Sequence, residues 1–261
     1  MLNFRNVSKL LAVLALIAAG FASSAESADS DPVETLLSKL APPPSDEALA
    51  AIPDFGRKLL ALRSYVRAGS KLAKRWSWTD EEIEAFQGSA EQKALLAEVA
   101  AVSAHFAEAN PGYEIYANTK VRSLDVQISH WNSNQSVGAA AEEILAGWTE
   151  KFGAKLEASA GPDEKEVRNW LSGFKGAKRS NLAAPGLTAH GQAHAIDFQV
   201  MKDGRIIAGA DSHQIETVWR ADRWDEKLKQ SMDAAGPSFT GPLHSPEEPW
   251  HYHYDPEVVS E

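Results

Sequence analysis

The chain contains no cysteine, which excludes disulfides and removes thiolate from the ligands open to a metal. A metal centre here must be built from histidine and carboxylate. Basic residues are also scarce: 26 Lys and Arg face 36 Asp and Glu, for a formal net charge of −10. That balance argues against nucleic acid as a partner, because phosphate binding draws on clustered Lys and Arg. Past the N-terminus there is no long apolar run, no internal repeat and no low-complexity tract outside one Pro-rich segment. What is present, 44% apolar and 24% charged residues over 261 positions, is ordinary globular composition, enough for one substantial core plus an extension.

Residues 1–25 have the form of an export signal peptide. Arg5 and Lys9 give a positive start, Leu10 to Phe21 is apolar, and Ser23-Ser-Ala25 offers small residues for cleavage. The run is short for a bilayer span, and no Cys follows it to take a lipid. Cleavage removes two basic residues and no acid, leaving 24 basic and 36 acidic residues and a net charge of −12. The expectation is a periplasmic or secreted protein, without stable membrane insertion after cleavage, whose contacts with anionic polymers are local. Glu26 to Pro44 is acidic and ends in Ala41-Pro-Pro-Pro44, the composition of a linker or mobile arm.

From Ser45 to Ala109 the pattern is helical, an extension of its own. Phe55, Leu59, Leu60, Leu62 and Val66 fall near helical spacing, Thr79-Asp-Glu-Glu82 has the form of a capping box, and Ser89 opens a helix toward Asn110. Trp76 and Trp78 are expected to pack against the core. The sequence predicts a strand over Tyr113–Thr119, helices over Ser136–Phe152 and Asp163–Phe174, and strands over Ala195–Met201 and Arg205–Ala210 joined at Lys202-Asp-Gly204. A helical segment between Gln214 and Ala234 and a final strand over Trp250–Tyr254 follow. The sum is an α+β domain over residues 110–261, with a central antiparallel sheet and helices packed on one side.

The chemistry gathers in two stretches: His190 and Asp197 in Pro185-Gly-Leu-Thr-Ala-His-Gly-Gln-Ala-His-Ala-Ile-Asp197, then Glu248-Pro-Trp-His251. Two imidazoles, a carboxylate, and a second carboxylate three residues from the last imidazole are the parts of a zinc hydrolase. Period-two alternation puts Ile196, Phe198 and Val200 on one face of their strand and Asp197 on the other. In the last strand Trp250, Tyr252 and Tyr254 share a face, and His251, His253 and Asp255 share the opposite one. With the apolar sets inward, Asp197, His251 and His253 look into one cleft. His190 reaches it only through a bend that Gly191 allows, and Glu248 through the break that Pro249 makes at the strand's start.

Pro-Gly-x-Thr-x-His-x-x-Ala-x-Ala-x-Asp followed by Glu-Pro-Trp-His resembles the D-alanyl-D-alanine metallopeptidases of the VanY and VanX type, within the wider lysostaphin-like and hedgehog-like zinc folds. The likeness covers roughly residues 110–258. It implies His190, Asp197 and His251 as ligands of one Zn²⁺ per chain and Glu248 as the general base. Thr119-Lys-Val-Arg122-Ser-Leu-Asp-Val-Gln127 is similar to the family's upstream segment, which implies Arg122 as the group holding a substrate carboxylate or carbonyl, with Gln127 and Thr188 as lesser hydrogen-bonding contacts. Thr188 keeps the hydroxyl of the motif's Ser, whereas Ala193 replaces its Gly and crowds the turn. Lys120 and Val121 replace a Gly-Tyr pair.

Two competing assignments stay open. His253 can take the ligand position of His251, as the second member of a His-x-His pair, or stand beside the site as a donor; Arg122 can pair with Asp125 instead of substrate. His194 opposes Asp197 in parity and reads as a packed or edge residue, and Asp255 can either orient His253 or lie on the surface. What the resemblance implies is a hydrolase acting on peptidoglycan peptides, foremost a D,D-carboxypeptidase releasing terminal D-alanine. The alternatives are an endopeptidase cutting cross-links or the L-Ala–D-Glu bond, and a zinc-stabilised binding module without hydrolysis.

Overall fold

A computed structural model of the chain describes residues 32–157 and 161–256, so the expected export signal lies outside the described residues. The chain divides into two compact units, residues 1–35 and 36–261. Of the first, only the opening residues of helix α1 (Pro32–Leu40) are described.

The second unit begins with helices whose starts are written in their sequence. After α2 (Asp46–Ala50), α3 (Phe55–Ala68) and α4 (Leu72–Arg75) comes α5 (Asp80–Phe86), opened by the capping box: Thr79 Oγ1 accepts from Glu82 N and Glu82 accepts from Thr79 N. Ser89 caps α6 (Ala90–Ala109) by accepting from Gln92 N at 3.0 Å. Within α6, Leu95, Val99, Val102 and Phe106 recur on one stripe and are all buried. The chain then forms β1 (Glu114–Ala117), α7 (Leu124–Ser133), α8 (Gln135–Glu157) and α9 (Glu164–Gly173), and continues as β2 (Ala195–Lys202), β3 (Arg205–Ala208), a π-helical turn (Ile215–Arg220) and α10 (Trp224–Ala235). Four short strands close it: β4 (Phe239–Thr240), β5 (Leu243–His244), β6 (Glu247–Glu248) and β7 (His251–Tyr254).

β2 is the hub of an antiparallel sheet. One edge takes β1, with Ala117 opposite Phe198; the other takes β7 along residues 195–197 and β3 along residues 200–202, and β4 extends the sheet beyond β7. Ile196, Phe198 and Val200 join Tyr252, Tyr254 and Trp250 in one buried cluster with the α6 stripe and with Leu228 and Met232 of α10. That is the α+β arrangement expected, with helices covering one face of the sheet. The β2–β3 turn places Asp203 at φ 49° and Gly204 at φ 72°, the two left-handed residues of a type I′ hairpin that Asp-Gly favours. A second helical layer joins α3 to α8 and α9, with Trp148 edge-on to Phe55 and to Trp170 at 5.8 Å. Among the described residues no helix is long and apolar enough to cross a membrane.

Two expectations about boundaries give way. The segment taken as a linker runs on as α1, and Leu37, Leu40 and Ala41 are buried; the prolines after it drew attention from leucines at helical spacing. Ser45 Oγ donates to Pro42 O at 2.6 Å, so the proline turn is itself fixed. Nor do residues 45–109 form a separate extension. The α6 stripe is part of the sheet's own core, and residues 36–261 are one compact unit.

Candidate metal centre

Asp197 and His251 are direct partners in the β2–β7 ladder, as are Ile196 with Tyr252 and Ala195 with His253. Paired residues project to the same face, so burying Ile196 and Tyr252 turns Asp197 and His251 together toward the other side. There His251 Nδ1 lies 3.1 Å from Asp197 Oδ1. His190 arrives from a short 3-10 turn, Ala189–Gln192, just ahead of β2. Its Nε2 stands 3.3 Å from His251 Nδ1 and 3.4 Å from Asp197 Oδ2. Three donor residues therefore converge from a turn and two strands, Asp197 turning one oxygen to each imidazole, with His190 and His251 each less than a tenth exposed. This buried His190, Asp197, His251 group can hold a metal ion. Burial pushes the Asp197 carboxyl up, but the hydrogen bonds and charges of His190 and His251 outweigh it and hold the group well below the usual carboxylate range. It is thus a ready anionic ligand.

Glu248 lies in the β5–β6 hairpin, paired with Leu243, and Pro249 separates it from β7. Its Oε2 is 3.5 Å from His251 Nδ1, so the second carboxylate does sit beside the three donors. Burial pushes its pKa above the ordinary glutamate value, against the opposing pull of His251. Arg122 Nη2 stands 3.6 Å from Asp197 Oδ2, so Asp197 and not Asp125 is its acidic neighbour, and about a quarter of its side chain stays exposed beside the donor cluster. His253 takes no part in the cluster. Its ring flanks that of His251 at 5.1 Å and it points outward, with burial first and then the His251 imidazole keeping it below the usual histidine range. His194 is exposed and packs edge-on to Trp78 at 6.4 Å. Asp255 lies on the surface at the end of the strand. Thr188 heads the 3-10 turn, half-buried, accepting Gly191 N–H at its carbonyl and forming no side-chain cap.

Gln127 has a different place from the one expected of a substrate contact. It is 6% exposed, and both ends of its amide are engaged: Oε1 accepts from Gly186 N at 2.8 Å, while Nε2 donates to Ser77 Oγ at 2.9 Å and to Arg122 O at 2.7 Å. With no free donor and no exposure, it ties the ligand loop together from behind. The same loop is held by Ser77 N to Gly186 O (2.8 Å), Trp78 N to Gly191 O (2.9 Å), Tyr65 Oη to Pro185 O (2.7 Å) and Gln192 Nε2 to Trp76 O (2.9 Å). Arg122 N donates to His190 O at 3.0 Å. Ser77, Trp78 and Tyr65 were not among the expected site residues; they lie far from His190 in sequence, and nothing local in them announces the contact.

The glycines of this loop serve close approach. A Cβ at Gly191 would lie 2.0 Å from Ser77 Oγ and 2.6 Å from Ser77 Cβ, so the residue next to His190 must be glycine for Ser77 to dock, which is a stronger demand than the bend expected of it. Ala193, where the resembling motif has Gly, does adopt left-handed backbone, φ 56°, a strain of roughly 1–2 kcal/mol for a residue with a Cβ.

Fold and site together define an α+β domain with a buried His/Asp/His centre able to take a metal. Compared with known protein families, curated proteins and solved structures, the chain matches none.

Proposed function

We propose that the protein is a zinc-dependent peptidase acting on peptidoglycan stem peptides, foremost as a D,D-carboxypeptidase releasing terminal D-alanine. The observation that carries this is the His190, Asp197, His251 donor cluster with a second carboxylate, Glu248, at its edge. Donor atoms of the three residues, one from each, lie within 4.8 Å of one another, and His190 Nε2 is 3.3 Å from His251 Nδ1, close to the roughly 3.3–3.4 Å between neighbouring ligand atoms that tetrahedral zinc with bonds of about 2.0–2.1 Å sets. Three protein donors leave the fourth position open, which is the pattern of catalytic zinc and not of closed structural sites.

His190, Asp197 and His251 would hold the zinc ion, which when bound would supply a Lewis acid for the scissile carbonyl and for the attacking water. Glu248, whose Oε2 is 3.5 Å from His251 Nδ1, would accept the water's proton and pass it to the leaving amine. Arg122, part exposed at the edge of the cluster, offers a planar fork to the C-terminal carboxylate of the peptide. The acidic surface charge suits a soluble exported enzyme whose contact with the wall is made by this one cleft.

The test is metal analysis of the purified protein together with mass spectrometry of muropeptides after incubation. The expected result is about one zinc per chain and a loss of one alanine mass from pentapeptide stems. Cleavage of cross-links or of the L-Ala–D-Glu bond instead assigns an endopeptidase. Bound zinc with no mass change assigns a binding module. Glu248→Gln should keep the zinc and lose activity by about 10²–10⁴-fold; near-normal turnover in that variant removes Glu248 from the mechanism.

A further inference from the structure

The core helices cover one face of the sheet, and the donor cluster lies on the other. In β2 the residues on that second face are Asp197, Gln199 and Met201, half-buried where Ile196, Phe198 and Val200 are buried. Register extends the face sideways: Tyr116 of β1 is opposite Gln199, and Ile206 of β3 is opposite Met201. These are two of the four large apolar side chains that stand exposed among the described residues, Tyr116 at 44% and Ile206 at 51%. Both lie on the surface that leads away from the donors along β2.

A β-bulge puts Ile206 there. Val200 pairs with Ala208 but Met201 pairs with Ile206, so Ile207 is an extra residue between them. Under plain alternation Ile206 would share the core face with the buried Ala208, two positions on. With the bulge, Ile206 faces solvent and Ile207 packs against the core. Turning an isoleucine out of the core gains nothing by burial, and bulges beside active sites serve to re-aim a side chain.

Arg122 approaches from the opposite direction. Its N–H is bonded to His190 O, ahead of β2, and its Nη2 stands 3.6 Å from Asp197 Oδ2, the oxygen that faces His190. The guanidinium is therefore on the His190 side of Asp197, and the Gln199–Met201 face is on the other. That face runs about 13 Å beyond Asp197, room for about four residues of extended peptide. Gln199 Oε1 accepts from Ala210 N at 3.4 Å, and the N–H groups of the same amide are left for a peptide carbonyl. Resting on the peptidase reading, we infer that this open face is the subsite for the acyl half of the substrate. With the terminal carboxylate at Arg122, the residues before the scissile bond lie along β2, against Tyr116 and Ile206. The site is thereby built for stem peptides of full length and not for a free dipeptide.

Two substrates of the zinc-loaded full chain test this, L-Ala-γ-D-Glu-L-Lys-D-Ala-D-Ala and acetyl-D-Ala-D-Ala. The pentapeptide should have a kcat/KM at least about tenfold higher, because contacts remote from the scissile bond contribute to turnover. Tyr116→Ala/Ile206→Ser should lower that ratio by about tenfold. In Glu248→Gln, the Ile206 Cδ1 methyl resonance, assigned by its loss in Ile206→Val, should shift with the pentapeptide and not with acetyl-D-Ala-D-Ala. Equal kcat/KM for the two substrates in the unaltered protein overturns this inference and leaves the peptidase standing. So does a methyl resonance that the pentapeptide does not move. A double variant impaired only on glycan-bearing muropeptides assigns the face to sugar, and one that alters sedimentation but not the ratio assigns it to a second copy of the chain; either overturns the peptide subsite. Hydrolysis of neither substrate removes the peptidase reading and this inference with it.

Discussion

The sharpest consequence of the loop geometry concerns Gly191. Adding a methyl there puts a Cβ 2.0 Å from Ser77 Oγ, 2.6 Å from Ser77 Cβ and 2.8 Å from Gln127 Nε2. Ordinary contact begins near 3.4 Å, so something must retreat by more than an ångström. Ser77 cannot go easily, because its backbone N–H is bonded to Gly186 O and the next N–H, that of Trp78, to Gly191 O itself. The turn that carries His190 must therefore move. Overpacking of this size costs about 2 kcal/mol, a fall in Tm of about 4–8 °C for a body this large. Because His190 is the adjacent residue, zinc affinity should fall too, by about 10–100-fold, as when the supports of a ligand are disturbed. The rescue is specific: Ser77→Gly removes two of the three clashing atoms. The Gly191→Ala/Ser77→Gly double variant should thus recover part of the Tm and of the zinc affinity lost in Gly191→Ala alone, with a coupling of about 1 kcal/mol or more. Thermal melts of the metal-free protein and zinc titrations against a chelator measure the two effects separately. A Gly191→Ala protein with unaltered Tm and affinity, or a double variant no better than the sum of the singles, refutes the reasoning.

Three further outcomes are expected. His190→Ala and His251→Ala should each lose at least about 100-fold in zinc affinity while His253→Ala stays within about tenfold; metal content after dialysis checks this, and equal losses at 251 and 253 would reopen the ligand assignment. Tyr65→Phe removes the buried bond to Pro185 O and should cost about 1–2 kcal/mol, seen as a lower denaturant midpoint at unchanged slope; an unmoved midpoint counts against that tie. Glu143 accepts from Ala177 N and Lys178 N, both at 2.8 Å, and these bonds hold its carboxyl below the ordinary glutamate value. A depressed folded-state value means stability that is full above the unfolded value of about 4.3 and lost as pH falls through the folded one. The Tm gap between wild type and Glu143→Gln should therefore be widest near neutrality and narrow in acid, and a gap that is constant across the range contradicts the assignment.

What could be seen in the sequence was what is encoded locally or by period. The helix caps at Thr79 and Ser89 need only four residues each, and both are present, a full capping box at the first and a side-chain cap at the second. Alternation along Ala195–Val200 and Trp250–Tyr254 named the face that Asp197 and His251 share, because a one-residue slip would expose Ile196, Phe198 and Tyr252. Parity could not choose between His251 and His253, which lie on the same face. The choice is made by register, since Asp197 pairs with His251 and Ala195 with His253. The role of Gln127 was illegible for another reason. Its partners, Ser77 and Gly186, are 50 and 59 residues away, and a buried glutamine looks the same in sequence as one facing substrate. The buried leucines of α1 were hidden by the neighbouring prolines, and the dependence of the sheet on α6 was hidden by treating a helical stretch as a domain.

The three donors therefore owe their positions to different parts of the molecule. Asp197 and His251 are fixed by the β2–β7 ladder and by the packing of Ile196 and Tyr252 beneath them. His190 is fixed by the helical layer, through Tyr65, Ser77, Trp78 and Gln127. Arg122 belongs with His190, since its N–H binds the His190 carbonyl and its own carbonyl is held by Gln127. A disturbance of the helices should leave the Asp197–His251 pair intact while shifting His190 and the Arg122 backbone bonded to it as one body. On this geometry the N-terminal helices belong physically to the donor cluster: through Tyr65, Ser77 and Trp78 they set where His190 stands, and with it Arg122, whose N–H is bonded to the His190 carbonyl.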